Sequence, residues 1–224
     1  MHSDEGYLLS FVKVGDYDAV VHIFSQNSGY LSFFSKSVFK SRRGKKALLK
    51  PLQKVEFSYS TRHSSLAYLS KFEAKDSREF SVKANLILFF AADLLNDLLR
   101  DEQRNIAVYT AVEEFLRQLE GRNYSAHYLF IFKLIEIFGI LPLSGSGDFL
   151  DPERGIFSAE QSSTLFSAEV SEIWKRVLDA GIDYAEKIPI QKKEALLESL
   201  LVFLSYHQGT RIPKSLEVIK QMTE

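Results

Sequence analysis

The chain changes its hydrophobic period once. From residue 7 to about residue 75, apolar residues come in short β-branched or aromatic runs separated by turn-forming residues, which is the pattern of strands. Residues 7–14 are closed by Gly15-Asp16, residues 19–25 by Gln26-Asn27-Ser28-Gly29, and residues 30–39 by a basic loop around Gly44. Residues 53–60 and 66–75 complete the set. Five strands in about seventy residues predict a small closed or nearly closed barrel, either an OB-fold or an SH3-like barrel.

Beyond residue 80 the spacing becomes helical: Leu86, Ile87, Phe90, Leu94, Leu95 and Leu98 fall on one face. Asn105 is placed to cap the next helix, which runs to about Leu119 and stops at Gly121. Residues 124–138 are apolar on nearly every side, as a central buried helix would be, and Gly139 and Pro142 end them. Residues 143–163 hold Gly145, Gly147, Pro152 and Gly155 and predict a linker. Helices over residues 165–180 and 190–207, then a short last helix, follow. The expected architecture is α+β, with a five-stranded barrel, OB-fold or SH3-like, over residues 1–80 and an α-helical bundle domain over residues 81–224.

Composition adds exclusions. With no cysteine there is no disulfide, thiolate nucleophile or thiolate metal site. The first apolar run, residues 7–14, is short and carries Ser10 and Lys13, which speaks against a secretory leader. The longest, residues 128–141, is too short to span a bilayer and carries Lys133 and Glu136. A cytoplasmic protein is expected.

Net charge is −1, but its distribution is uneven. Residues 1–80 carry 13 basic against 8 acidic side chains, and residues 81–224 carry 15 against 21. Such a split predicts two modules with different partners. Between Asp18 and Glu56 there is no carboxylate, while Lys36, Lys40, Arg42, Arg43, Lys45, Lys46, Lys50 and Lys54 all fall there. Soluble surfaces normally mix both signs. Cations without interspersed acids, next to aromatic rings, suit a phosphate backbone and unpaired bases. Strand alternation places Leu31, Phe33 and Phe39 on one face and Tyr30, Phe34, Lys36 and Lys40 on the other. The second set is the candidate nucleic-acid face, with Tyr30 and Phe34 as stacking rings. Arg42, Arg43, Lys45 and Lys46 form a loop for phosphates, flanked by Lys50.

No enzyme signature is present. His2, His22, His63, His127 and His207 show no metal-ligand spacing, Gly145-Ser146-Gly147 lacks the rest of a dinucleotide loop, and no glycine loop leads into Lys-Ser or Lys-Thr. No catalytic residue, metal or cofactor is expected. From these residues alone, an RNA-binding OB module and a protein-interaction scaffold remain open beside a DNA-binding protein.

The run Asp16-Tyr17-Asp18-Ala19-Val20-Val21-His22-Ile23-Phe24-Ser25, then Gly29-Tyr30-Leu31-Ser32-Phe33-Phe34-Ser35-Lys36, resembles the N-terminal domain of the RecO family of recombination mediators. Lys40-Ser41-Arg42-Arg43 and Pro51-Leu52 match its continuation, and the aromatic third run most resembles the Bacteroidetes-type branch. The resemblance covers residues 7–60; the helical remainder matches in length and apolar pattern only. It implies an OB-fold followed by a helical domain, binding of single- and double-stranded DNA, and strand annealing. It further implies work with RecR, and with the C-terminal tail of single-stranded-DNA-binding protein, in loading RecA. An acidic, Phe-ended tail needs an apolar groove with one or two cations. The candidates are Arg117 with Arg122, and Lys175 and Arg176 beside Trp174. Many relatives hold zinc on four cysteines in the helical domain. The equivalent stretch here, residues 143–158, has none, so whatever that site stabilises must be held otherwise.

Overall fold

The computed structural model describes residues 2–40, 45–60, 66–180 and 188–221. It divides into two compact units, residues 1–110 and 111–224.

The first unit is built on five strands: β1 (His2–Val14), β2 (Asp18–Ser25), β3 (Gly29–Ser35), β4 (Lys54–Ser60) and β5 (Ala67–Ala74). They close in the order β1-β2-β3-β5-β4, with β4 returning to β1. The β3–β5 pair is parallel and the others antiparallel. This is the OB-fold arrangement, and it settles the choice between the two barrels left open by the pattern. β1 serves both ends of the closure. Its first half pairs with β4 and its second half with β2, and an irregularity between Leu8 and Ser10 bends it between the two ladders. The barrel interior is filled by Leu8, Ala19, Val21, Ile23, Phe33, Val38, Val55, Phe57, Leu69 and Phe72. β3 ends at Ser35, earlier than residue 39, because Asp18 accepts a 2.8 Å bond from the Ser37 N–H and turns the chain. Val38 and Phe39 still reach the core, from a turn instead of a strand.

Helix α1 (Val82–Leu98) begins at Ser81, whose hydroxyl accepts from the Ala84 N–H at 3.2 Å. Its buried face, including Ile87, Ala91, Leu94, Leu95 and Leu98, has the spacing expected for a helix laid on a sheet, and it packs along β1. Asn105 caps α2 (Ile106–Glu120) through the Val108 N–H at 3.2 Å. The expected boundary near residue 80 coincides with the start of α1, while the compact units divide inside α2.

The second unit gathers the rest of α2, α3 (Ala126–Ile137), α4 (Ala168–Ala180), α5 (Ile190–Gln208) and α6 (Leu216–Lys220). α3 is buried on most of its circumference, as its composition predicts. Phe130 stacks on Phe115 with centroids 4.5 Å apart. Trp174 is fully buried against Phe132 and Phe203, and its indole N–H donates to the Ser199 hydroxyl at 2.9 Å.

The expected linker holds a small hairpin, β6 (Phe149–Asp151) and β7 (Ile156–Ser158). Three-residue strands are too short for a period-2 signal. The side chain of Asp151 accepts from the Glu153 and Arg154 N–H groups, and Gly155 adopts φ +65°. The hairpin is seated by the Leu150 N–H on the Ser171 hydroxyl of α4 (2.9 Å). His207 of α5 donates from Nε2 to the Pro152 carbonyl (2.9 Å). Leu150 is fully buried.

Candidate nucleic-acid interface

Alternation on β3 sends Leu31, Phe33 and Ser35 inward and Tyr30, Ser32 and Phe34 outward. The two outward rings have different fates. The Tyr30 hydroxyl donates to Asn96 Oδ1 of α1 at 3.1 Å, and its ring stacks on His22 at 5.6 Å. Asn96 also accepts from Ser10 at 2.7 Å, so β1, β3 and α1 share one acceptor. Burial raises the Tyr30 pKa. Burial, helped by the positive charge of Arg100, holds the His22 imidazole below its usual range. Tyr30 is thus an anchor of α1 on the barrel.

Phe34 lies farther along the same outward face. It pairs with Val20 on one side and Tyr68 on the other, and Val20 pairs with Val12. Val12, Val20, Phe34 and Tyr68 therefore form one row across β1, β2, β3 and β5. Tyr68 meets Phe34 edge-on at 5.5 Å, and Lys36 Nζ lies 5.5 Å over the Tyr68 ring. Val12 is 57% exposed and Tyr68 37%. Tyr68 was not singled out from sequence, although alternation against buried Leu69 would have turned it outward.

Lys36, Lys40, Lys46 and Lys50 are exposed. Arg42, Arg43 and the side chain of Lys45 lie outside the described residues. Lys54 differs from the others. It is largely covered, 3.5 Å from Glu5, and its ammonium lies 5.7 and 5.6 Å over the rings of Tyr7 and Tyr109. Lys75 also hydrogen-bonds Glu5. These bonds, chiefly the one from Lys75, outweigh burial and lower the Glu5 pKa from 4.5. A depressed carboxylate pKa adds stability that is present above the unfolded value and lost as pH falls through the folded value. Glu5→Gln should therefore lower the melting temperature at pH 7 but not below the folded Glu5 pKa. Thermal unfolding of both proteins across pH 2–7 tests this, and an unchanged difference at pH 2 would refute it.

The helical candidates sit in different local surroundings. Trp174 is inside the core, with no face to offer. Lys175 lies 5.3 Å over the Phe157 ring and 3.9 Å from Asp148, and Arg176 bonds Glu172 at 2.8 Å. Arg117 is exposed and bidentate on Glu114, at 2.9 and 2.6 Å; Arg122 is exposed with φ +64°. For zinc the residues present do not fit. There is no cysteine, and among the described residues no group of three or more His, Asp or Glu side chains is placed to hold a metal ion. Nor is any described helix long and apolar enough to cross a membrane.

Comparison with known proteins agrees with this barrel. Residues 1–78 match the family model of the recombination protein O N terminal, and residues 79–144 match that of its C terminal. DNA repair protein RecO of Flavobacterium psychrophilum and that of Flavobacterium johnsoniae are each 24% identical to the chain. The RecO of Christiangramia forsetii is 26% identical. Each alignment covers 96% of both partners. On an OB-fold barrel followed by helices, with consecutive matches to both halves of one family, the chain belongs to the RecO family of DNA repair proteins.

Proposed function

We propose that this protein is a DNA-binding recombination mediator, acting without catalysis in the cytoplasm. The carrying observation is the carboxylate-free stretch between Asp18 and Glu56, set on an OB-fold barrel with Lys36, Lys40, Lys46 and Lys50 exposed. In this reading these lysines, with Arg42, Arg43 and Lys45, neutralise phosphates on single- and double-stranded DNA. Screening two strands at once reduces their mutual repulsion and lets complementary strands anneal. Family membership supports partnership with RecR and with the C-terminal tail of single-stranded-DNA-binding protein, so that RecA is loaded on coated DNA. For the tail, Arg117, Arg122, Lys175 and Arg176 remain the cations to test. Trp174, named with them from the sequence, is packed in the core.

Phosphate binding releases counterions, so log affinity falls with log salt at roughly −0.7 to −0.9 per phosphate. Fluorescence anisotropy of a labelled oligonucleotide across a salt series should give a slope of about −3 to −4, for roughly four to six contacts. Absence of binding at low salt would end this reading.

A further inference from the structure

Asp18 opens β2 and is the last carboxylate before the acid-free stretch. A negative charge at that border weakens the pull of the neighbouring lysines on a phosphate. Its side chain nevertheless accepts the Ser37 N–H at 2.8 Å, just where the cationic segment leaves β3. We infer that Asp18 is a positioning residue for DNA: it holds the turn that sets Lys36 and Lys40, and its acceptor oxygen adds more to phosphate binding than its charge takes away. The inference rests on the DNA-binding reading above and adds how the cations of that site are held.

The turn is fixed from several sides. Ser37 has φ +57°, a left-handed conformation that a residue with a side chain rarely adopts. Two bonds close around it: Asp18 takes its N–H, and its carbonyl accepts the Lys40 N–H at 3.3 Å. The Phe39 N–H donates to the carbonyl of Tyr17, the residue before Asp18, at 3.0 Å. Between these bonds Val38 is fully buried. The Phe39 ring centroid lies 6.2 Å from that of Phe11, and Lys13 Nζ stands 5.7 Å over the same ring. The far end of the cationic segment is tied as well. The Leu52 N–H donates to the Leu8 carbonyl at 2.9 Å, and the Leu8 N–H to the Gln53 carbonyl at 3.0 Å. Leu48 and Leu49 pack on the barrel core. Lys36 and Lys40 thus stand exposed on either side of a fixed turn. Cations held in place before DNA arrives lose less freedom on binding than cations on a loose chain. Of the bonds that fix the turn, the one to Asp18 is made by a side chain, so a substitution can remove it.

The test compares proteins of equal charge on a labelled poly-dT strand. Asp18→Asn and Asp18→Ala both lack the carboxylate, and asparagine keeps an acceptor oxygen for Ser37. The asparagine variant should bind more tightly than the unaltered protein. The alanine variant should bind less tightly than the asparagine variant by roughly two- to tenfold, the worth of one hydrogen bond expressed as an equilibrium ratio. With Lys36→Ala/Lys40→Ala added to both, that gap should close, because the turn then has no cation to place. A purely structural role leaves the gap open. Amide exchange at Ser37, measured without DNA, should show protection in the unaltered and asparagine proteins and its loss in the alanine protein. Asp18→Glu repeats the comparison at unchanged charge. Its longer side chain displaces the carboxylate from the turn, so affinity should fall below that of the unaltered protein by a similar factor. That arm stands even if the alanine protein does not fold. Equal affinity of the asparagine and alanine proteins overturns the inference, as does a gap that survives removal of both lysines. Those results leave phosphate binding standing, whereas failure of the unaltered protein to bind the strand removes the DNA-binding reading and this inference with it.

Discussion

A protein carrying Arg42→Glu, Arg43→Glu, Lys45→Glu and Lys46→Glu should bind neither single- nor double-stranded DNA at moderate salt, while folding as before. Each reversal removes a counterion-releasing contact and adds a repulsive one. A combined loss on the order of a hundredfold or more is expected, with the salt slope falling by roughly 0.9 for each lost duplex contact. The fold should survive because β3 ends at Ser35 and β4 begins at Lys54, so no ladder of the barrel is altered. Circular dichroism and thermal unfolding verify that point, and anisotropy reads the affinity. Substitution by alanine at the same four positions should fall between the two proteins, because it removes attraction without adding repulsion. Unchanged affinity in a folded charge-reversed protein would mean that DNA is held elsewhere.

The largest expected loss of stability is at Gly29. It opens β3 at φ +78°, and a Cβ there would lie 2.4 Å from the Glu102 carbonyl oxygen and 2.4 Å from the Gln103 carbonyl carbon. The next residue, Tyr30, donates its N–H to the Glu102 carbonyl at 2.9 Å. The β2–β3 turn is thus clamped to the segment between α1 and α2, backbone against backbone. Gly29→Ala incurs a left-handed backbone penalty of about 1–2 kcal/mol, and relief of the clash costs about 1–3 kcal/mol more. A fall in melting temperature of roughly 5–15 °C follows for a protein of this size. Tyr30→Phe, which removes the hydroxyl that bonds Asn96, should cost about 1 kcal/mol. A Gly29→Ala protein as stable as the parent would show that the turn can move off residues 102 and 103.

Most of the barrel was legible because its strands alternate and its turns carry Gly, Asn and Asp. Both helix caps at Ser81 and Asn105 rest on side chains with that chemistry, and Asn105 was read directly. The end of β3 was not legible. Phe39 continues the period of Phe33, and it takes the long-range bonds from Ser37 to Asp18 and from the Phe39 N–H to the Tyr17 carbonyl to show that the chain has already turned. The β6–β7 hairpin was hidden by its length and by glycines that also mark linkers. At the interface, Tyr30 and Phe34 are indistinguishable by alternation. What separates them is α1, sixty residues further on, whose Asn96 takes the Tyr30 hydroxyl and leaves Phe34 open. Trp174 beside Lys175 and Arg176 reads as an aromatic–cation cluster in one dimension. A helix turns its neighbours by about 100° per residue, which sends the indole into the core and the two cations toward the surface.

The β6–β7 hairpin has a physiological consequence. A corner stapled by four thiolates is hostage to zinc supply and to oxidants, because losing either the ion or the reduced sulfur dissolves it. Here a serine hydroxyl, an imidazole and an aspartate-capped turn do the joining, and the chain has no sulfhydryl to oxidise. Oxidative stress breaks DNA and attacks cysteine at the same moment. A corner assembled this way has no thiolate or zinc ion to lose under oxidising conditions.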